Sequence, residues 1–199
     1  MGDEASSGGG RETPPRPPTM TDLARLCAEF NRLGARYVVV GGLAIIQAGY
    51  SRTTEDIDFL VETTPENEAR IIEALLILPD KAARELTPGE IGQYGVVRVG
   101  DEVLVDLMKS GCGVTYAEAV QDATIVQVEG VPIPFASPRT LWRMKQTLRA
   151  KDVPDRLYLR ELLRAQGIPT EPAEPPAPEN PVIRWWQKGL DWWRSHRAS

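Results

Sequence analysis

The stretch that most limits what this chain can fold into is VVVGGLAIIQAGYSRTTEDIDFLVE, residues 38–62. It joins a β-branched run, a pair of glycines, a short apolar segment and an Asp-Ile-Asp triplet. "RYVVV" reads as a buried strand, "LAIIQAG" as a short helix opening at Gly41 and Gly42, and "DIDFLV" as a second strand. Side chains alternate across a strand, so Ile57, Phe59 and Val61 share one face, and Asp56 and Asp58 share the other with Leu60 and Glu62. Two carboxylates one pleat apart repel, and partial burial would raise the pKa of one of them. A divalent cation relieves that conflict. Mg²⁺ prefers oxygen ligands and is commonly held by one or two carboxylates together with substrate phosphates.

The rest of the domain switches period repeatedly. "TDLARLCAEFNRLG" has helical spacing, with Thr21 as the expected N-cap and Gly34 as the stop. "PENEARIIEALLIL" is a second long helix, with Pro65 in its first turn. "YGVVRVGDEVLVDLM" reads as two strands joined at Gly100-Asp101, and "TIVQVEGVPIPFAS" as another pair around Glu129-Gly130. "TYAEAVQ" is expected to be helical. "SPRTLWRMKQTLRAK" opens on Ser137 and Pro138, and "PDRLYLRELLRAQG" is a last helix stopped by Gly167. The order helix, strand, helix, strand, helix, then mostly strand, then helix predicts an α/β or α+β fold on a mixed sheet flanked by helices, with a helical C-terminal part.

A third acid stands in "EVLVDLM". Asp106 shares a strand face with Leu104 and Met108, opposite Val103, Val105 and Leu107. An acid amid apolar residues in mid-strand breaks a local rule, which is where function is expected. If this strand neighbours residues 56–62, three aspartates converge as a ligand set for metal-assisted phosphoryl displacement. Gly41 and Gly42, lacking Cβ atoms, let backbone N–H groups approach a ligand, and a helix N-terminus favours phosphate. Glycines and aspartates together fit a nucleoside-triphosphate site. Each piece alone also has an ordinary reading: a solvated strand face, an edge-strand charge, a plain strand-to-helix turn.

The 199 residues suit one domain with appendages. A hydrophobic content of 42% and a charged content of 26% are those of a soluble globular protein, and a net charge of −5 gives no case for broad nucleic-acid binding. Cys27 and Cys112 have no metal spacing and form no disulfide framework, so both read as core or near-core thiols. The first residues lack an apolar signal region, no apolar run is long enough to cross a membrane, and the expected compartment is the cytoplasm. Residues 1–19 are expected to be disordered and 20–168 to form the catalytic domain. Residues 169–181, with six prolines, are expected to form a stiff linker.

"GGLAIIQAGYSRTTEDIDF" with Asp106 resembles the signature of the DNA polymerase β-like nucleotidyltransferase superfamily, and more closely the minimal nucleotidyltransferases related to abortive-infection (AbiE-type) toxins. Arg52 and Thr54 precede the Asp-x-Asp as in that group, and "SPRTLWRMKQTLRAKDVPD" is similar to its late segment, with Lys145, Lys151, Asp152 and Asp155 at the matching positions. The resemblance spans residues 22–166. It implies a nucleotidyltransferase fold and Mg²⁺- (or Mn²⁺-) dependent transfer of NMP from an NTP to a hydroxyl on an RNA end, a protein side chain or a small molecule. It also implies a toxin–antitoxin or phage-defence setting. Asp56, Asp58 and Asp106 would bind metal, Asp106 would help deprotonate the attacking hydroxyl, Gly41 and Gly42 would hold the triphosphate, and Arg52 and Lys145 would neutralise its charge. Lys145 is expected on a helix whose Leu141, Met144 and Leu148 point inward. Asp152 also suits the N-cap of the last helix. Relatives often carry His-Gly where this chain has Ala48-Gly49, and its one histidine is His196, so a substrate contact through that His is not carried over.

The tail 182–199 holds four of the five tryptophans, and Val182, Trp185, Trp186, Leu190 and Trp193 form one stripe at helical spacing. With its basic residues, the segment 182–196 suits a membrane surface, a partner groove or an apolar patch of its own domain. A non-catalytic alternative follows from the same residues: a nucleotide-sensing or regulatory module acting through this tail. The intact aspartates favour the enzyme.

Overall fold

The computed structural model describes residues 14–170. The linker and tail expected at 169–199 therefore lie, except for residues 169–170, outside the described residues, as do residues 1–13. Arg16, inside the stretch expected to be disordered, lies against the domain. Its guanidinium donates to Asp22 and Glu102 at 2.8 Å, and its backbone N–H donates to the Glu102 carbonyl at 3.0 Å.

The chain runs α1 (Met20–Arg32), β1 (Tyr37–Val40), α2 (Gly41–Gln47), β2 (Asp56–Val61), α3 (Pro65–Leu75), α4 (Glu90–Tyr94), β3 (Val96–Gly100), β4 (Leu104–Met108), β5 (Ser110–Gly111), β6 (Val114–Thr115), α5 (Tyr116–Ala119), β7 (Thr124–Val128), β8 (Val131–Phe135), α6 (Pro138–Met144) and α7 (Val153–Ala165). Single 3₁₀ turns lie at Ala82–Glu85 and Ala150–Asp152. The sheet has the order β3-β4-β2-β1-β8-β7. It is mixed: β2 runs parallel to β4 and β1 to β8, while β1–β2, β3–β4 and β7–β8 are antiparallel. This is the mixed α/β architecture with flanking helices that the period pattern predicts.

The helix ends follow local chemistry. The α1 cap is Thr19, not Thr21, because Thr19 and Asp22 form a reciprocal capping box. Thr21 instead hydrogen-bonds Glu129. Gly34 stops the helix at φ +68°. Ser137 caps α6 with Pro138 behind it, as expected. The β7–β8 turn at Glu129-Gly130 has both residues at positive φ, the geometry that matches strand twist.

The core is built on the Ile57/Phe59/Val61 face. Phe30 of α1 meets Phe59 edge-on with ring centroids 4.9 Å apart, and Tyr37 packs against both rings. Two buried polar side chains hold the surrounding loops. Asn67 bonds the backbone of Arg36 and Glu62. Glu68, fully buried, accepts the N–H groups of Gly89, Ile91 and Gly92 at the start of α4. On the aspartate side, α2 packs on β2 and α6, and α6 packs on α7.

Candidate active site

Three strands place the acids. The register pairs Asp58 with Asp106 between parallel β2 and β4, and Asp106 with Arg98 between antiparallel β4 and β3. On the other side Asp58 pairs with Val40, the last residue before the glycines. Paired residues share a sheet face, so Arg98, Asp106 and Asp58 form one row across the sheet, and Asp56 stands one pleat along. One oxygen from each of Asp56, Asp58 and Asp106 lies within 4.8 Å of the others. The convergence expected from strand parity is present.

The glycine turn closes on this row. Gly41 has φ +62°, and a Cβ there would overlap the Asp58 carboxylate. A Cβ on Gly42 would overlap the Thr54 side chain. The Gly42 N–H points to Asp58 Oδ2 at 3.4 Å. Thr54 is buried and its hydroxyl bonds the Asp56 carbonyl. The glycine pair thus has a reason inside the protein: it lets Asp58 and Thr54 sit against the backbone of α2.

Burial, and then the charges of Asp56 and Asp106, push the Asp58 carboxyl up to about 7, against a smaller opposing effect of Lys145. Arg98 answers part of the repulsion. Its Nε and Nη2 donate to the two oxygens of Asp106, both at 2.7 Å, and Nη2 also donates to Asp56 at 3.1 Å. These bonds, those to Asp106 foremost, hold the guanidinium charged. The sequence reading missed this arginine. A two-residue turn at Gly100-Asp101 would pair Val99 with Glu102, whereas the turn runs over Asp101, Glu102 and Val103 and brings Arg98 opposite Asp106. Asp101 is buried, and its carboxylate accepts the N–H groups of Asp80, Ala82 and Glu102, which fixes the longer turn.

Across the cleft stand the two expected phosphate cations. Lys145 is not on a helix with Leu148: α6 ends at Met144, Lys145 is its cap, and Leu148 is fully exposed. Leu141 and Met144 do line the cleft. Lys145 Nζ donates to Asp152 at 2.9 Å and lies 3.0 Å from Asp155, and Arg52 Nη1 donates to Asp155 at 2.5 Å. Both aspartates are buried. Asp152 stands at the N-cap position of α7 but caps nothing; its carboxylate accepts from Lys145, Thr147 and Arg149. Burial alone would raise that carboxyl, and the donors bring it down to about 2. Cys27 is buried as expected, whereas Cys112 is exposed on the cleft rim, at φ +47° between two glycines.

Gly41, Gly42, Arg52, Thr54, the three aspartates, Arg98 and Lys145 line a single cleft of about 300 Å³, together with Arg149 and Lys151. Its floor is anionic and its far rim cationic. The acids suit a divalent cation. All three donors are carboxylates, their oxygens converge, and a guanidinium already stands among them as a cation.

No family model matches the chain, and no curated protein matches it. Solved structures that resemble it are nucleotidyltransferase-like. An antigenic nucleotidyltransferase-like protein from Paracoccidioides brasiliensis is 16% identical, with 88% of each chain covered and a TM-score of 0.46. The antibiotic-resistance factor ANT(2'')-Ia in solution is 14% identical, with 89% of this chain and 97% of that one covered and a TM-score of 0.47. Its crystal structure with adenylyl-2''-tobramycin is 15% identical, with 74% and 91% covered and a TM-score of 0.47. At this level of likeness neither substrate nor reaction passes from those proteins to this chain. Among the described residues, no helix is long and apolar enough to cross a membrane.

Proposed function

We propose that this protein is a nucleotidyltransferase that moves NMP from an NTP to a hydroxyl acceptor. The observation that carries the reading is the meeting of Asp56, Asp58 and Asp106 from two paired strands at one end of a cleft whose opposite wall is cationic. Asp56, Asp58 and Asp106 would hold Mg²⁺ (or Mn²⁺), which would supply charge neutralisation at the transferring phosphate. Asp106, with its carboxylate at the edge of the acid row, would accept the proton of the attacking hydroxyl. Arg52 and Lys145 would pair with the triphosphate, and the Gly41-Gly42 turn would lie beside it. The paired cations are held in place before substrate arrives, so little rearrangement is spent on positioning them.

The acceptor class is an RNA end, a protein side chain or a small molecule, and the setting we infer is a toxin–antitoxin or phage-defence system of the abortive-infection type. The test is incubation of the full chain with each α-labelled NTP and Mg²⁺, with and without total RNA, protein extract or aminoglycoside. Label moving to one acceptor class, and failing to move with Asp58→Asn, is the expected result. Tight NTP binding with no label transferred to any class would refute the enzyme and favour a nucleotide-sensing module.

A further inference from the structure

Among the described residues, Arg98 is the one side chain from outside the acid set that hydrogen-bonds two of the three clustered carboxylates. It engages both oxygens of Asp106 and reaches Asp56 with the same Nη2. Those oxygens are the ones a divalent cation would need. A planar fork bound bidentately to a carboxylate uses the in-plane lone pairs that a metal would share. The two cations therefore compete for one set of ligands. The competition is local, since Lys145 is already committed to Asp152 and Asp155 on the far wall.

Arg98 is also free to leave. It projects from β3, the edge strand, and its side chain is 55% exposed. Val96, on the same strand face, is exposed, while Val97 and Val99 pack toward the core on the opposite face, so the guanidinium can swing on its own torsions without disturbing the core. Where it would swing is the cleft that it lines with Gly41, Gly42 and Arg52.

We propose that Arg98 is a resident cation that keeps the aspartates closed to a free divalent ion, and that it passes from Asp106 to the phosphates when a nucleotide brings the metal in. This rests on the nucleotidyltransferase reading. The charge balance supports it: three carboxylates with one guanidinium leave a net −2, against the −3 that a metal would meet once the guanidinium has left, so Arg98 weakens the pull on a free divalent ion. A triphosphate offers Arg98 replacement oxygens, so metal and nucleotide each favour the arrangement the other needs, which is positive coupling between two ligands. The protein would then bind the metal–nucleotide complex in preference to either part.

The experiment is Mn²⁺ titration of the full chain, followed by the electron paramagnetic resonance signal of free Mn²⁺. Wild type, Arg98→Gln, Arg98→Lys and Asp58→Asn are compared, with and without an α,β-methylene NTP analogue. Without nucleotide, Arg98→Gln is expected to bind Mn²⁺ at least tenfold more tightly than wild type, about 1.4 kcal/mol. Arg98→Lys, which keeps the charge and loses the fork, should fall between them. With the analogue present, wild type should gain Mn²⁺ affinity and the gap should narrow. Equal or weaker Mn²⁺ binding by Arg98→Gln, in a background where Asp58→Asn abolishes binding, overturns the role of Arg98 and leaves the metal site standing. If neither wild type nor any variant binds Mn²⁺, with or without the analogue, the metal site itself is wrong and this proposal falls with it.

Discussion

Arg98 and Asp106 stand opposite one another on antiparallel β3 and β4, and two hydrogen bonds of 2.7 Å join the guanidinium to both oxygens of the carboxylate. Asp58, one strand further along the same row, has no such partner among the described residues; the Gly42 N–H reaches its Oδ2 at 3.4 Å. Two aspartates side by side therefore make opposite contributions to the metal-free fold.

That asymmetry gives the first prediction. Without metal, at about pH 8, where Asp58 is ionised, Asp58→Asn should raise the melting temperature, because it removes a buried charge that Asp56 and Asp106 also repel. Asp106→Asn should lower it, because an amide cannot accept both guanidinium bonds. Arg98 is partly solvated, so the loss is about 1 kcal/mol, or about 2–4 °C for a domain of this size. Both variants should lose nucleotide transfer. Shifts of the same sign in the two variants would show that Arg98 does not distinguish the two acids. The measurement is thermal denaturation in chelator, alongside label transfer.

The second prediction is the pH dependence of the metal-free protein. Asp58 titrates at about 7 in the fold against an ordinary 3.8. Between these values the folded state holds a proton that the unfolded state has released. The contribution to stability is complete below about pH 4 and is lost as pH rises through about 7. The melting temperature in chelator should therefore fall from pH 5 to pH 8. Asp58→Asn should flatten that slope, and saturating Mg²⁺, which favours the ionised carboxylate, should reduce or reverse it. Asp152 and Asp22, held low by their donors, act in a more acidic range and leave this window to Asp58. An unchanged slope in Asp58→Asn would remove this account.

The third prediction separates a turn glycine from a site glycine. Gly34 and Gly41 both have positive φ, but a Cβ on Gly34 meets nothing within 4 Å and one on Gly41 overlaps Asp58. Gly34→Ala should cost about 1–2 kcal/mol through backbone conformation alone and keep Mn²⁺ binding. Gly41→Ala should cost more and lose Mn²⁺ binding, since Asp58 must move. Equal behaviour of the two would mean that the Gly41–Asp58 contact carries no function.

Much of this arrangement was legible in the chain because it rests on short-range rules. Strand parity puts Asp56 and Asp58 on one face, and β2 and β4 turn out to be paired in register at Asp58 and Asp106. The mixed sheet followed from the switching periods. What was hidden depended on long-range partners. The role of Arg98 turns on a hairpin register set by Asp101, whose three backbone donors include two from the segment at residues 80–82. Leu148 looked like a helical core residue from spacing, but α6 stops at Met144 and Arg156 binds the carbonyls of Lys145 and Thr147. Asp152 has the spacing of a helix cap, but its carboxylate turns back to the loop before it and accepts from Lys145, Thr147 and Arg149, which leaves the first turn of α7 uncapped.

The fourth prediction concerns Asp155, which holds the far wall of the cleft. It is almost wholly buried and lies between two cations on different elements, Arg52 before β2 and Lys145 after α6. It touches no part of the space where the aspartates meet, so its expected role is to position those cations. Both cations meet the same oxygen, Oδ2, so Asp155→Asn can keep an acceptor there but loses the negative charge that holds the two cations. Breaking a buried pair from one side costs roughly 3–5 kcal/mol, and the partial exposure of Arg52 brings the expected loss to about 2–3 kcal/mol. A structural role alone would stop there. Positioning predicts more: with Arg52 and Lys145 no longer held, NTP affinity should drop at least tenfold at low salt, with KM rising more than kcat falls. Lys145→Ala should show the same weakened affinity with a smaller loss of stability, because it leaves Asp155 paired with Arg52. Calorimetric titration with the α,β-methylene analogue, at two ionic strengths, reads the difference. An Asp155→Asn protein that melts earlier but binds the analogue as tightly as wild type would reduce this cluster to packing, and would remove Arg52 and Lys145 from the triphosphate site.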